Sequence, residues 1–182
     1  MKTALILVDI QNDYFPGGKG KLEGSLEASQ QARRLLDHFR QKGLPPVFIQ
    51  HIADRPGATT FLSGSEGAKI HENIQPLPGE TIFQKHYPNS FRETPLLEYL
   101  RSQEIERLVI CGMMTHMCVD STVRAAFDYG FECWLAHDAC ATWALSYAGR
   151  TIPAEYVHLS FLAALNGRYS KVQTVEEIIA QI

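Results

Sequence analysis

The stretch Thr3-Ala4-Leu5-Ile6-Leu7-Val8 is an unbroken apolar run of strand length that stops at Asp9. A sheet wetted on one face alternates apolar and polar residues. A run apolar at every position needs both faces covered, which is the signature of a parallel strand between two layers of helices. Similar stretches recur at Pro46–His51, Thr81–Lys85, Arg107–Gly112 and Phe131–Ala136, with a shorter one at Val172–Thr174. Helical patterns alternate with them. Leu26 to Lys42 carries apolar residues near 3.6 spacing and stops at Gly43, and Pro95–Arg101 starts on a proline whose missing N–H costs nothing there. Val119, Thr122, Val123, Ala126 and Phe127 form one stripe closed by Gly130, and Ala154–Leu165 and Val175–Ile182 complete the set. The alternation predicts an α/β fold, a doubly wound parallel sheet joined by right-handed crossovers, as one domain over residues 1–182.

A net charge of −3 gives no support for binding nucleic acid or an anionic membrane. The N-terminal MKTALILVDI is broken by Asp9 too early for a signal peptide, and no run approaches the roughly 20 apolar residues that span a bilayer. The expectation is a cytoplasmic protein acting on a small molecule. Its four cysteines, Cys111, Cys118, Cys133 and Cys140, show neither CxxC nor zinc-ribbon spacing, so reduced thiols are expected. Cys111 and Cys133 sit in apolar runs and read as packing residues, while Cys140 falls in a loop signal.

In sheets of this type ligands bind beyond the carboxyl ends of the strands. The first strand ends at Asp9, the third at Lys85-His86 and the fifth at His137-Asp138, while the fourth runs through Gly112 toward Cys118. An acid, a base and a thiol therefore fall on one edge. Asp9 follows so apolar a run that something must hold its charge. Cys118 is predicted at a helix N-terminus, where unpaired N–H groups favour a thiolate and are able to hold an oxyanion. Other motifs fail. PGGKGKLEG lacks the P-loop spacing, no GxGxxG follows the first strand, and Gly64-Ser65-Glu66-Gly67 is one residue short of a nucleophile elbow. His51, Asp54 and His71 are candidate metal ligands without a tight spacing.

Three separated stretches, LILVDIQNDYF at 5–15, Lys85 after its short strand and ICGMMTHMCVDSTVRAAFDYGF at 110–131, resemble the isochorismatase-like cysteine hydrolases, as does AHDACAT at 136–142. The resemblance implies a Rossmann-like, three-layer α/β/α fold with a six-stranded parallel sheet in the order 3-2-1-4-5-6, assembled as a homodimer or homotetramer. It implies Asp9 as general base, Lys85 as its cationic partner and Cys118 as nucleophile. It also implies a cis peptide at Met113–Met114 and an oxyanion hole from the Met114 and Cys118 N–H groups. The activity implied is amidohydrolase chemistry: cleavage of a C–N bond in a small amide, carbamoyl compound or cyclic amide through a thioester, with no cofactor.

Nicotinamidases of this superfamily carry an Asp-x-His pattern after the second strand, which QHIADRPGATT at 50–60 lacks, so no metal is expected. Isochorismatases that cleave a vinyl ether generally lack the cysteine, so Cys118 points to C–N hydrolysis. Nicotinamidase or isochorismatase activity and a thiol-based redox or peroxide-sensing role are the alternatives. Gln11, Tyr14, Phe61, Phe91, Met117 and Trp143 are the expected substrate contacts, with Gln11 also placed to brace its loop, and the long segment 52–80 is the expected cover of the pocket.

Overall fold

A computed structural model of the chain describes residues 1–182. Five apolar runs and a short sixth build one parallel sheet from β1 (Thr3–Val8), β2 (Pro46–His51), β3 (Thr81–Lys85), β4 (Arg107–Met113), β5 (Glu132–Ala141) and β8 (Lys171–Gln173), in the order β3-β2-β1-β4-β5-β8. This is the expected order, with β8 as the sixth strand. The two remaining strands, β6 (Leu145–Tyr147) and β7 (Arg150–Ile152), form a separate antiparallel hairpin in a stretch to which the sequence pattern assigns no element. β1 and β4 are buried along almost their whole length, as a doubly covered centre requires, whereas edge strand β3 alternates exposed and partly covered positions.

The helices are α1 (Ser25–Gln41), α2 (Leu96–Ser102), α3 (Asp120–Asp128), α4 (Ala154–Leu165) and α5 (Val175–Ile179). From β1 the chain crosses through α1 to β2 on one side, and from β4 through α3 to β5 on the other. Right-handed crossovers in opposite directions put α1 and α3 on opposite faces of the sheet. The reversal of direction lies between β1 and β4, and there the loops leaving adjacent strands diverge and open a crevice. Both Asp9 and the Met114–Cys118 turn leave the sheet at that point.

The close pairing of β1 with β4 depends on Gly112. Its φ of 131° lies in a region that favours glycine, and a Cβ there would come within 2.0 Å of the Val8 carbonyl oxygen. Beyond the expected end of the fifth strand, β5 runs on to Ala141 through an irregular register with β4, pairing Gly112 with Cys140. His137 and Asp138 consequently lie inside the strand, and the Asp138 carboxylate accepts from the Val175 N–H at 2.9 Å, at the start of α5. No helix is long and apolar enough to cross a membrane.

Gly112→Ala adds a Cβ that one backbone or the other must move to admit, so it is expected to cost about 3 kcal/mol or more in chemical denaturation.

Candidate active site

Three parallel strands end side by side and bring their last residues together. His51 and Lys85 are register partners on β2 and β3, and the Asp9 N–H still donates to the Ile49 carbonyl of β2 at 3.0 Å. At Asp9 the backbone turns to a φ of 50°, costly for a residue with a side chain and the means by which the chain leaves the sheet. The Lys85 ammonium reaches the Asp9 carboxylate at 2.7 Å with both side chains essentially sealed from solvent. It also donates to the Tyr87 carbonyl at 3.0 Å and to Cys118 Sγ at 3.4 Å.

At 2.7 Å the ammonium gives one N–H to the Asp9 carboxylate, whose oxygens have no other hydrogen-bond partner. A buried carboxylate with open lone pairs stands here beside a thiol. Burial, which disfavours the charge, acts most strongly on Lys85, but Asp9 and Cys118 outweigh it and hold the ammonium above its ordinary range. For Cys118 burial pushes the thiol well up, and the Asp9 charge adds to this more than Lys85 takes away. The thiol at rest is therefore protonated.

Burial outweighs the help toward a thiolate expected of a helix N-terminus. Cys118 lies within a π-helical turn, Thr115–Val119, that precedes α3; the Val119 and Met117 N–H groups both donate to the Met114 carbonyl. Such wide turns are frequent at functional sites. The Met113–Met114 peptide is cis, and the Met114 N–H donates to no protein group.

A cavity of about 240 Å³ opens above Cys118, somewhat below the roughly 300–1,000 Å³ typical of ligand pockets. Tyr14, Phe61, Met114, Met117 and Trp143 supply its aromatic and sulfur-bearing walls. The Tyr14 and Phe61 rings meet edge to face at 4.8 Å, and burial, then the nearby Cys118 and Asp9, holds the Tyr14 phenol well above its usual range. Met117 and Trp143 are exposed at the mouth.

Two expected contacts lie elsewhere. Phe91 packs with Tyr129 and Phe131, with ring centroids 5.2 and 6.2 Å apart, where aromatic packing near the start of β5 takes it out of the pocket lining. Gln11 is buried with its amide spent on backbone: it donates to the carbonyls of His51 and Ala68 at 2.8 and 2.7 Å and accepts from the His51 N–H at 2.8 Å. It braces the site without lining it.

The long segment after β2 is a structured wall. Asp13 accepts from the Phe61 N–H at 2.6 Å and the Lys19 N–H at 3.2 Å, and the Asp13 N–H donates to the Gly67 carbonyl at 2.9 Å. A Cβ on Gly67 would stand 2.3 Å from the Asp13 carboxylate, so only glycine admits this seam. The sequence reading missed Asp13 in this seam and Arg55, Thr60 and Pro88 in the lining, and it named His86 only as a strand end. Several of these directly follow the ends of β2 and β3, the one signal that would have found them.

His51 and Asp54, weighed above as metal ligands, do line the cavity, but His71 stacks on Phe15 at 3.6 Å. No three His, Cys, Asp or Glu side chains converge as a ligand set.

The sequence profile of the isochorismatase domain matches residues 3–177. The chain belongs to the isochorismatase family. Bacillus subtilis YddQ, a protein of that family, is 48% identical over 98% of this chain and 99% of its own length. A crystal structure from Oleispira antarctica, described as an isochorismatase hydrolase, superposes with a TM-score of 0.95 at 48% identity, covering 98% of this chain and 96% of that one. The streptothricin hydrolase of Streptomyces noursei is 30% identical over 83% of this chain and 60% of its own length. In fold and family this protein is thus an isochorismatase-family hydrolase.

All four thiols are held above their ordinary pKa of 9.0, chiefly by burial. Above about pH 9 the unfolded chain loses thiol protons that the folded chain keeps, so stability falls as pH rises. Lys85, raised from 10.5, acts in the same direction at higher pH, because its favourable charge is lost as pH climbs through the folded value. Each group contributes ~1.4 kcal/mol per pH unit. Denaturation between about pH 8 and 10 should show this loss, with a shallower slope in Cys118→Ala.

Proposed function

We propose that this protein is a cysteine hydrolase that cleaves a C–N bond in a small amide, carbamoyl compound or cyclic amide. The observation that carries the reading is the sealed cluster of Asp9, Lys85 and Cys118 at the floor of a small, mostly apolar cavity.

The cycle starts with a protonated thiol. Asp9 removes the Cys118 proton, and Lys85 offsets the negative charge on sulfur. Sulfur attacks the carbonyl carbon and the π electrons move to oxygen. The Met114 N–H, unpartnered at rest, and the Cys118 N–H receive that oxyanion, each contributing about 3 kcal/mol. As the carbonyl reforms, the C–N bond breaks and nitrogen takes the proton from Asp9, leaving as ammonia or an amine. Asp9 then accepts a proton from water, whose oxygen attacks the thioester. The C–S bond breaks, the acid departs and sulfur recovers its proton from Asp9.

Burial of the ion pair serves this cycle. With water excluded, a proton moving from sulfur to Asp9 changes the local charge pattern by a large electrostatic energy, and Lys85 lies against both sites. The same surroundings favour hydrolysis over a redox or peroxide-sensing role. A sensor thiol works as an accessible thiolate, whereas Cys118 is buried and protonated.

An ammonia-release screen over small amides, ureas and lactams tests the proposal, with Cys118→Ala as the blank. Turnover of a substrate class is expected to be abolished in Cys118→Ala and to drop about 10²–10⁴-fold in Asp9→Asn. Native-rate turnover in Cys118→Ala would overturn the reading. Mass spectrometry of a stalled reaction should show an acyl adduct on Cys118.

A further inference from the structure

Lys85 faces more acceptors than it has protons to give. An ammonium has three N–H donors. One contact is the Asp9 carboxylate at 2.7 Å and another the Tyr87 carbonyl at 3.0 Å. One N–H remains, and two acceptors stand at the same 3.4 Å from Nζ: Cys118 Sγ and His51 Nδ1.

His51 is held in that place with unusual thoroughness. The buried Gln11 amide ties down both its backbone N–H and its carbonyl, the ring stands edge-on to Phe61 with centroids 5.7 Å apart, and β2–β3 register sets it beside Lys85. Facing the ring are Asp9 from β1, Lys85 and His86 from β3 and its flank, and Arg55 from the following loop. Burial leads the lowering of its pKa, and Lys85, His86 and Arg55 deepen it against the pull of Asp9, so the ring is neutral. A neutral imidazole that accepts from an ammonium through Nδ1 carries its proton on Nε2. Its tautomer is thus set by Lys85.

We propose that His51 is a positioning residue that competes with Cys118 for the third N–H of Lys85 and thereby restrains ionisation of the thiol in the resting protein. While the imidazole takes a share of that N–H, sulfur receives only part of the stabilisation that a thiolate needs. When Asp9 withdraws the thiol proton, the new thiolate is the stronger acceptor, and the shared N–H leans toward it while the other two stay on Asp9 and Tyr87. No proton changes owner in that shift. His51 therefore damps the idle nucleophile without blocking the working one. The hydrolase reading gives the damped sulfur its task, but the competition is a property of the resting protein and is tested without any substrate.

The test reads the sulfur directly. Alkylation of the intact protein by iodoacetamide, followed at Cys118 by peptide mass spectrometry across a pH series, reports the thiolate population. His51→Phe keeps a ring but removes the acceptor, and should raise the alkylation rate at about pH 8 by roughly threefold or more, equal to half a pKa unit downward. His51→Asn restores an oxygen acceptor near Nδ1 and should return the rate toward native. An unchanged or slower rate in His51→Phe overturns the proposal, as does His51→Asn matching His51→Phe. Should either variant unfold, the unaltered protein still decides: nitrogen-15 NMR of its histidines should show His51 as the Nε2–H tautomer, and an Nδ1–H tautomer would overturn it. Neither readout depends on whether an amide substrate is ever found.

Discussion

The ion pair between Asp9 and Lys85 is the constraint on which the site depends. Two opposite charges buried at 2.7 Å are costly to desolvate, and either one alone would be far costlier. The fold therefore has to deliver both to one point or neither. It does so by ending β1 and β3 on either side of β2 and by using β2 to set the register between them. Apolar residues on both faces of β1 make that region dry, which strengthens the attraction and raises the penalty for error.

From that pair the remaining features follow in order. Lys85 has one N–H left after Asp9 and Tyr87, and it falls to the neighbourhood of Cys118 and His51. Cys118 reaches that neighbourhood because β4 lies tight against β1, which Gly112 permits, and because a wide helical turn carries the chain from Met114 back over the strand ends. The second wall of the cavity is independent of the sheet. It hangs on Asp13 and Gln11, two buried polar side chains whose hydrogen bonds run to backbone of the 51–68 stretch. A polar group buried among backbone amides is stable only when satisfied, so these residues hold the long segment as firmly as a strand pairing would.

Much of this was legible because burial on two faces leaves a plain mark. The runs at 3–8 and 107–112 could only be central strands, and chemistry-bearing residues at their carboxyl ends fall on one rim by topology alone. The hairpin at 145–152 left no such mark, since its exposed residues satisfy no periodicity that a core would impose. Phe91 misled because an aromatic residue in a loop reads the same whether it faces a pocket or packs against Tyr129 and Phe131. Gln11 reads from the sequence both as a brace of its loop and as a substrate contact, and only the coordinates show its amide committed to the brace.

By itself the sequence determined the layered architecture, the strand order through its family likeness, and which acid, cation and thiol stand at strand ends. Those properties follow from periodicity and chain direction, which are local. Tertiary structure alone decided the protonation of Cys118, because the balance between burial, Asp9 and Lys85 is a matter of ångströms between residues more than thirty positions apart. It also decided that His51 belongs beside Lys85 as a competing acceptor, since a parallel register between two strands is invisible until both are in place.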